Sequence, residues 1–246
     1  MENASLVGLS RQIVLQRKLT VIADNLANMT TAGFKREDLG SEEAFMPKSR
    51  TNLFERRDTR DSYVREKATV TDFSQGEIEL TGNPFDLVIE GEGFFVVQAP
   101  EGERYARGGN FVLDSQGRLV TPDGYPVQGE GGDIVFARNE HDVAVGADGT
   151  VSSSAGEKGR LRIVNFANPG QLVKQGKNLF RSQVAPTADP DARVKQGAIE
   201  RSNVSGIVEI NTMIEVTRAY EQISDLIKKQ SDLSSKAIER LGSLQA

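Results

Sequence analysis

The chain is 246 residues long, carries a formal net charge of −5, and contains one histidine, no cysteine and no tryptophan. Its length suits one or two domains, and its acidic balance excludes the electrostatic footprint of a nucleic-acid or anionic-lipid binder. Without cysteine there is no disulfide framework, no thiol nucleophile and no thiolate metal site.

The first predicted element is a helix from about Ser5 to Met29, with Asn3 or Ser5 as its cap. Leu15, Leu19, Ile22, Leu26 and Met29 repeat a four-three spacing, the seam of an amphipathic helix. Leu6, Leu9, Ile13 and Val14 form a second apolar set on another face, so this helix is expected to have more than one packing partner. Met1-Glu2-Asn3 is not basic, and Arg11, Arg17 and Lys18 interrupt any apolar core, so no cleaved leader is expected. No run of about 18 apolar residues predicts a membrane span. Thr30 to Phe34 end the helix, with Gly33 placed for a positive φ after its last turn.

Residues 35–75 read as an extended charged connector, densest from Lys35 to Lys67. Lys48, Arg50, Arg56, Arg57, Arg60 and Arg65 alternate there with Glu42, Glu43, Glu55, Asp58, Asp61 and Glu66, and Phe45, Leu53, Phe54 and Tyr63 are scattered among them. Two readings stand: a solvated linker, or an arm laid across neighbouring subunits with its aromatic residues as anchors.

Residues 76–202 read as a β domain. Phe85, Leu87 and Ile89 alternate with Asp86, Val88 and Glu90, a period of two, between the turns Gly82-Asn83-Pro84 and Gly91-Glu92-Gly93. Phe94 to Val97 give the next strand. Asp114-Ser115-Gln116-Gly117 and Gly146-Ala147-Asp148-Gly149 are Gly-ended loops between short strands, the mark of hairpins. Arg107-Gly108-Gly109 reads as another turn. The turn spacing predicts a barrel or sandwich.

The last helix starts near Ser202 or Ser205 and runs to about Leu241, roughly 55 Å. Its heptad a and d positions are Met213, Val216, Tyr220, Ile223, Ile227, Gln230, Ser234, Ala237, Leu241 and Leu244. A seam needs a partner surface, and the two terminal helices are the obvious partners for each other. The expected fold class is therefore α+β: long N- and C-terminal helices paired as a coiled-coil-like stem (residues 1–34 with 203–246), carrying an inserted, mainly-β domain. So few seam side chains do not offset the conformational entropy of two long helices, so the stem is expected to be frayed until neighbours cover its other faces.

Catalytic constellations are weak. His141, in Asn139-Glu140-His141-Asp142, has no nucleophile elbow to serve. Asp114 and Asp148 lack the ligand spacing and closing glutamate of a calcium loop. Gly170 to Lys177 misplaces the second glycine of a phosphate loop and puts Asn178 where magnesium needs a hydroxyl. No catalytic, cofactor or metal residues are assigned, and no small-molecule substrate is expected.

Three stretches carry a family likeness. Asp24 to Lys35, reading DNLANMTTAGFK, resembles the N-terminal signature of the flagellar rod and hook proteins. Gly82 to Phe95, reading GNPFDLVIEGEGFF, is similar to their central motif, which Arg107–Gly117 and Leu119–Val127 continue. Gly197 to Val204, reading GAIERSNV, with Met213-Ile214 and Arg218-Ala219-Tyr220-Glu221, resembles the C-terminal signature. The chain departs from the family at Thr30, at Ser205 and at Gln222-Ile223.

The resemblance implies a structural subunit that polymerises axially with other rod subunits and copies of itself, terminal helices inward. It also implies passage through the flagellar export apparatus. The short chain favours a rod protein over the larger hook protein; among rod proteins, Met1-Glu2-Asn3 and the lack of long insertions most resemble a proximal one, with a distal one as the alternative. Ser202, Asn203 and Val204 enter as signature residues at the second helix's start. Asn25 and Asn28 are expected either to satisfy backbone groups where helices cross or to serve ordinary helix-end turns, and Gly33 to permit a bend that lets Phe34 anchor the arm. Tyr220 is expected to offer its hydroxyl to a neighbour, and Arg218 either to pair with a neighbour's carboxylate or to stay solvated. The competing readings are an enzyme or carbohydrate-binding β domain with helical ends, which would want histidines or tryptophans, and a secreted adhesin.

Overall fold

A computed structural model describes residues 2–45, 62–176, 178–189 and 192–243. Two compact units emerge, one from residues 1–27, 37–71 and 205–246 and the other from 28–36 and 72–204.

The first unit is built from two helices and a β ribbon. Helix α1 spans Glu2–Ala27 and helix α2 spans Gly206–Ser243. They run side by side and antiparallel. Gly8 of α1 meets Ile227 of α2, Gln12 Nε2 donates to Ser224 Oγ at 3.1 Å, and Asn25 lies beside Glu209. Each step up α1 is thus matched by a step down α2. Strands β1 (Glu37–Phe45) and β2 (Ser62–Thr71) pair antiparallel, from Glu37 opposite Thr71 to Phe45 opposite Ser62, with a bulge between Leu39 and Ser41. Leu39 packs with Val14 and Val21 of α1, which ties the ribbon to the helix.

The sequence leaves this segment as an extended connector, whereas its two ends form a paired ribbon. Glu37-Asp38-Leu39-Gly40-Ser41-Glu42-Glu43 offers one large apolar residue and no alternation, so a strand held by backbone pairing carries no period-two signal. The charged and aromatic residues between 46 and 61 lie outside the described residues.

Among the described residues, the second unit consists of short strands joined by turns and loops, with one short helical turn at Pro169–Gln171. Strands β3 (Ile78–Leu80), β4 (Leu87–Glu90), β5 (Phe94–Ala99) and β6 (Gly102–Ala106) open it. The largest sheet is six-stranded. From edge to edge it runs Val173–Lys174, Leu179–Arg181, β6, β5, Ile163–Asn165 and Thr187–Ala188. Among the described residues, the other strands make one three-stranded sheet and several two-stranded pairs, and none closes on itself. Of the expected barrel or sandwich, the closed barrel is corrected: the strands are too short and too often interrupted by glycine turns for a continuous ladder to close.

Alternation along β5 gives this unit two apolar layers. Phe95 and Val97 face a core with Leu87, Ile89, Phe111, Leu119, Val127, Ile134, Val151, Leu161 and Val194. Phe94 and Val96 face the other way, onto Tyr105, Val164, Phe166, Leu172 and Phe180, where the aromatic rings meet edge to face. Phe73 closes that layer against Phe94 and Phe180. Strand β4 pairs with Arg193–Gln196 and β3 with Ala198–Glu200, so the C-terminal stretch of the unit folds back onto its beginning.

Candidate assembly site

In the first unit each helix withdraws one stripe from solvent. On α2, Val216 is buried and Met213, Tyr220, Ile223, Ile227, Gln230 and Ser234 are half-buried. The side chains of Ala237 and Leu241 lie outside the described residues, as does Leu244. On α1, Ile22 is buried, Leu15, Leu19 and Leu26 are half-buried, and Met29, just past the helix end, is exposed. Gly8 and Val14 are also buried.

A second set of apolar residues on each helix is left in solvent. Leu6, Leu9 and Ile13 on α1 are each about half exposed, at 54%, 50% and 54%. On α2, Ile207, Ile210 and Ile214 form a stripe at i, i+3 and i+7, and Leu226 and Leu233 form another at i, i+7. Gln222, Asp225, Lys229 and Gln230 line a shallow groove with Leu226 and Leu233. Arg218 is exposed.

Polar contacts fix the ends of this pair. Asn25, 1% exposed, holds strand β1 as a neighbouring strand would: its Nδ2 donates to Glu37 O at 2.7 Å and its Oδ1 accepts from Glu37 N at 3.0 Å. Its partner is thus strand backbone, and Nδ2 also lies 3.4 Å from Glu209 Oε2. Glu209 is buried in the first turn of α2, where the helix dipole favours a carboxylate. Sequence reasoning missed Glu209, because a glutamate in a first turn looks the same whether solvated or buried.

In the second unit, the segments where the chain enters and leaves are fastened to each other. Gly33, at φ +66, donates its N–H to Glu200 O at 2.7 Å. A Cβ at Gly33 would run into the backbone of Arg107 and Gly108, so both the left-handed conformation and the close approach require glycine. Phe34 is 2% exposed and lies under the Lys174 ammonium, 4.1 Å from its ring centroid. Asn203 Oδ1 accepts from Arg36 N at 2.7 Å, and its Nδ2 donates to Asp72 O at 2.9 Å. Ser202 Oγ accepts from Val204 N at 3.2 Å. Asn28 Oδ1 accepts from the Thr31 hydroxyl at 3.2 Å, so this amide serves a local turn.

Beneath these contacts lies a buried charge cluster. Glu200 is 1% exposed. Its Oε1 accepts from Lys35 Nζ at 2.5 Å and from Gly76 N at 3.0 Å, and its Oε2 accepts from Arg107 Nε at 2.7 Å. Lys35 also donates to Ser74 O at 2.7 Å. Arg107 also donates to the carbonyls of Gly93 (2.5 Å), Ile89 (3.0 Å) and Gly91. Burial pushes the Lys35 ammonium below the ordinary lysine value, Glu200 opposes that shift, and Arg107 adds to it. Arg107 is thus a buried ion-pair partner, where the sequence suggests only a turn. The signal lay in Glu200, distant in sequence, and no local pattern joins the two.

Among the described residues, no group of His, Cys, Asp and Glu is arranged to hold a metal, and no helix is long and apolar enough to cross a membrane. His141 is exposed.

Comparison with known proteins matches the ends and middle of the chain to three family models. Residues 6–35 match "Flagella basal body rod protein", residues 88–153 "Flagellar hook protein FlgE/F/G D1 domain" and residues 195–240 "Flagellar basal body rod FlgEFG protein C-terminal". The flagellar basal-body rod protein FlgF of Caulobacter vibrioides is 40% identical, with 99% of this chain and all of the relative covered. FlgF of Rhizobium meliloti is 32% identical over 98% of this chain and 99% of the relative. The rod protein FlgG of Buchnera aphidicola subsp. Schizaphis graminum is 33% identical over 98% of this chain and 97% of the relative. Paired terminal helices with uncovered apolar stripes, a β unit clasped at its two ends and end-to-end similarity to rod subunits agree: the chain belongs to the flagellar basal-body rod protein family.

Proposed function

We propose that this protein is a structural axial subunit of the bacterial flagellar basal-body rod, of the proximal kind, that polymerises with other rod subunits and with copies of itself to transmit torque. The observation that carries the reading is the division of each terminal helix into a face spent on its partner helix and an apolar face left in water. Apolar stripes of this length gain free energy only when another surface covers them. The helices act as a coiled-coil-like stem, the half-buried Tyr220 reaches a neighbouring subunit with its hydroxyl alone, the exposed Arg218 faces one with its charge, and the subunit carries out no reaction. It reaches the rod through the flagellar export apparatus. The greater identity to FlgF of Caulobacter vibrioides, 40% against 33% for the Buchnera FlgG, favours a proximal over a distal rod subunit.

The test places a charge on the open stripe. Ile210 is 47% and Ile214 is 44% exposed, so Ile210→Asp and Ile214→Asp leave the monomer's far-UV circular dichroism and melting temperature nearly unchanged. Purified basal bodies from cells carrying either variant lack this subunit, and the cells do not swim. A normal rod complement and normal swimming in both variants exclude these stripes as the assembly surface.

A further inference from the structure

Every buried cation of the second unit's charge cluster depends on one carboxylate near the far end of the chain. Lys35 belongs to the entering segment, 28–36; Arg107 follows β6; Glu200 ends the strand Ala198–Glu200, which pairs with β3. The side chains of Lys35, Arg107 and Glu200 are 1%, 4% and 1% exposed. Two cations on one carboxylate leave an excess positive charge, and backbone carbonyls of Ser74, Ile89, Gly91 and Gly93 surround it.

We propose that this cluster is a two-ended latch, so that the entering segment 28–36 and the closing segment 198–204 seat on the β unit together or not at all. If the closing strand leaves, Lys35 and Arg107 become buried cations without a counter-charge. If the entering segment leaves, Glu200 loses its lysine, and Gly33 N–H no longer caps Glu200 O. Removing one member of a buried pair is far costlier than never having built the pair, which makes the half-latched state scarce. The backbone reinforces this: Gly76 packs so closely on Arg201 O that a Cβ would clash, and Arg201 N donates to Glu77 O at 2.8 Å. The 72–77 segment is therefore trapped between the two ends and released with them. The latch makes the β unit sense whether both of its chain ends are in place.

Hydrogen exchange on the full chain tests this, read at the amides of Gly33, Gly76 and Arg201. In Glu200→Gln, which keeps the shape and removes the charge, protection at all three falls together by about a hundredfold, while Val96 and Val97 in β5 remain protected. Lys35→Met removes the Lys35 bonds to Glu200 and to Ser74 O, and serves as the second variant if Glu200→Gln does not fold. It also lowers protection at Gly76 and Arg201, although both lie far from residue 35 in sequence. The double variant loses no more than Glu200→Gln alone, because the two side chains act as one unit. Loss confined to the amide next to the substitution, or losses that simply add in the double variant, overturn the latch.

Discussion

Asp114 and Asp148 show how much a single turn residue reveals. Each opens or sits within a Gly-ended loop, and each folds its carboxylate back onto the loop. Asp114 Oδ1 accepts from Gln116 N at 2.8 Å and Arg118 N at 2.9 Å, while Asp148 takes Thr150 N at 3.1 Å and its hydroxyl at 2.7 Å. The backbone N–H of Arg118 holds Asp114 below its ordinary value of 3.8, and the Thr150 hydroxyl does the same for Asp148. A depressed carboxyl stabilises the fold fully above the unfolded value and loses that contribution as pH falls through the lower folded value. The urea midpoint is therefore expected to be flat near neutrality and to fall as pH drops below about 4, with a shallower fall in Asp114→Asn. An equal acid slope in the variant removes Asp114 from that account. These turns were legible because Asx chemistry is local. The Lys35–Glu200–Arg107 cluster was not, since its members are brought together only by the pairing of β3 with Ala198–Glu200.

At the scale of elements, the two helices were legible and the ribbon was not. Helical periodicity is written by side chains that must be buried: the heptad positions of α2 from Met213 to Ser234 are half-buried or buried, together with Thr217, Ala219 and Ser224 between them. Strands β1 and β2 pair through backbone, which leaves no apolar alternation to read. The sequence also does not reveal where α1 and α2 approach most closely. Gly8 marks one such place: a Cβ there would lie 3.0 Å from Ile227 Cγ1. Gly8→Leu overpacks this contact and is expected to cost about 1–3 kcal/mol, read as an earlier loss of helical circular dichroism on heating. An unchanged melting curve means that the helices do not rely on that contact.

For the whole molecule, the sequence divides the chain near Phe34 and Ser202, whereas the compact units divide near Ala27 and Ser205, because Phe34 and Lys35 are buried in the β unit. Removing residues 1–27 or 205–246 is therefore expected to block incorporation into the rod while leaving the β unit folded. In the intact monomer, trypsin is expected to cut within α1 and α2 well before residues 76–200, because each helix keeps one apolar face uncovered. Equal resistance at the ends and in the β unit contradicts a stem that depends on its neighbours for order.

The six-stranded sheet ends at both margins in strands of two residues, Val173–Lys174 and Thr187–Ala188. Such stubs offer too few free amides and carbonyls to template a foreign strand. Crowded at high local concentration, these molecules find no purchase for amyloid-like stacking through that sheet.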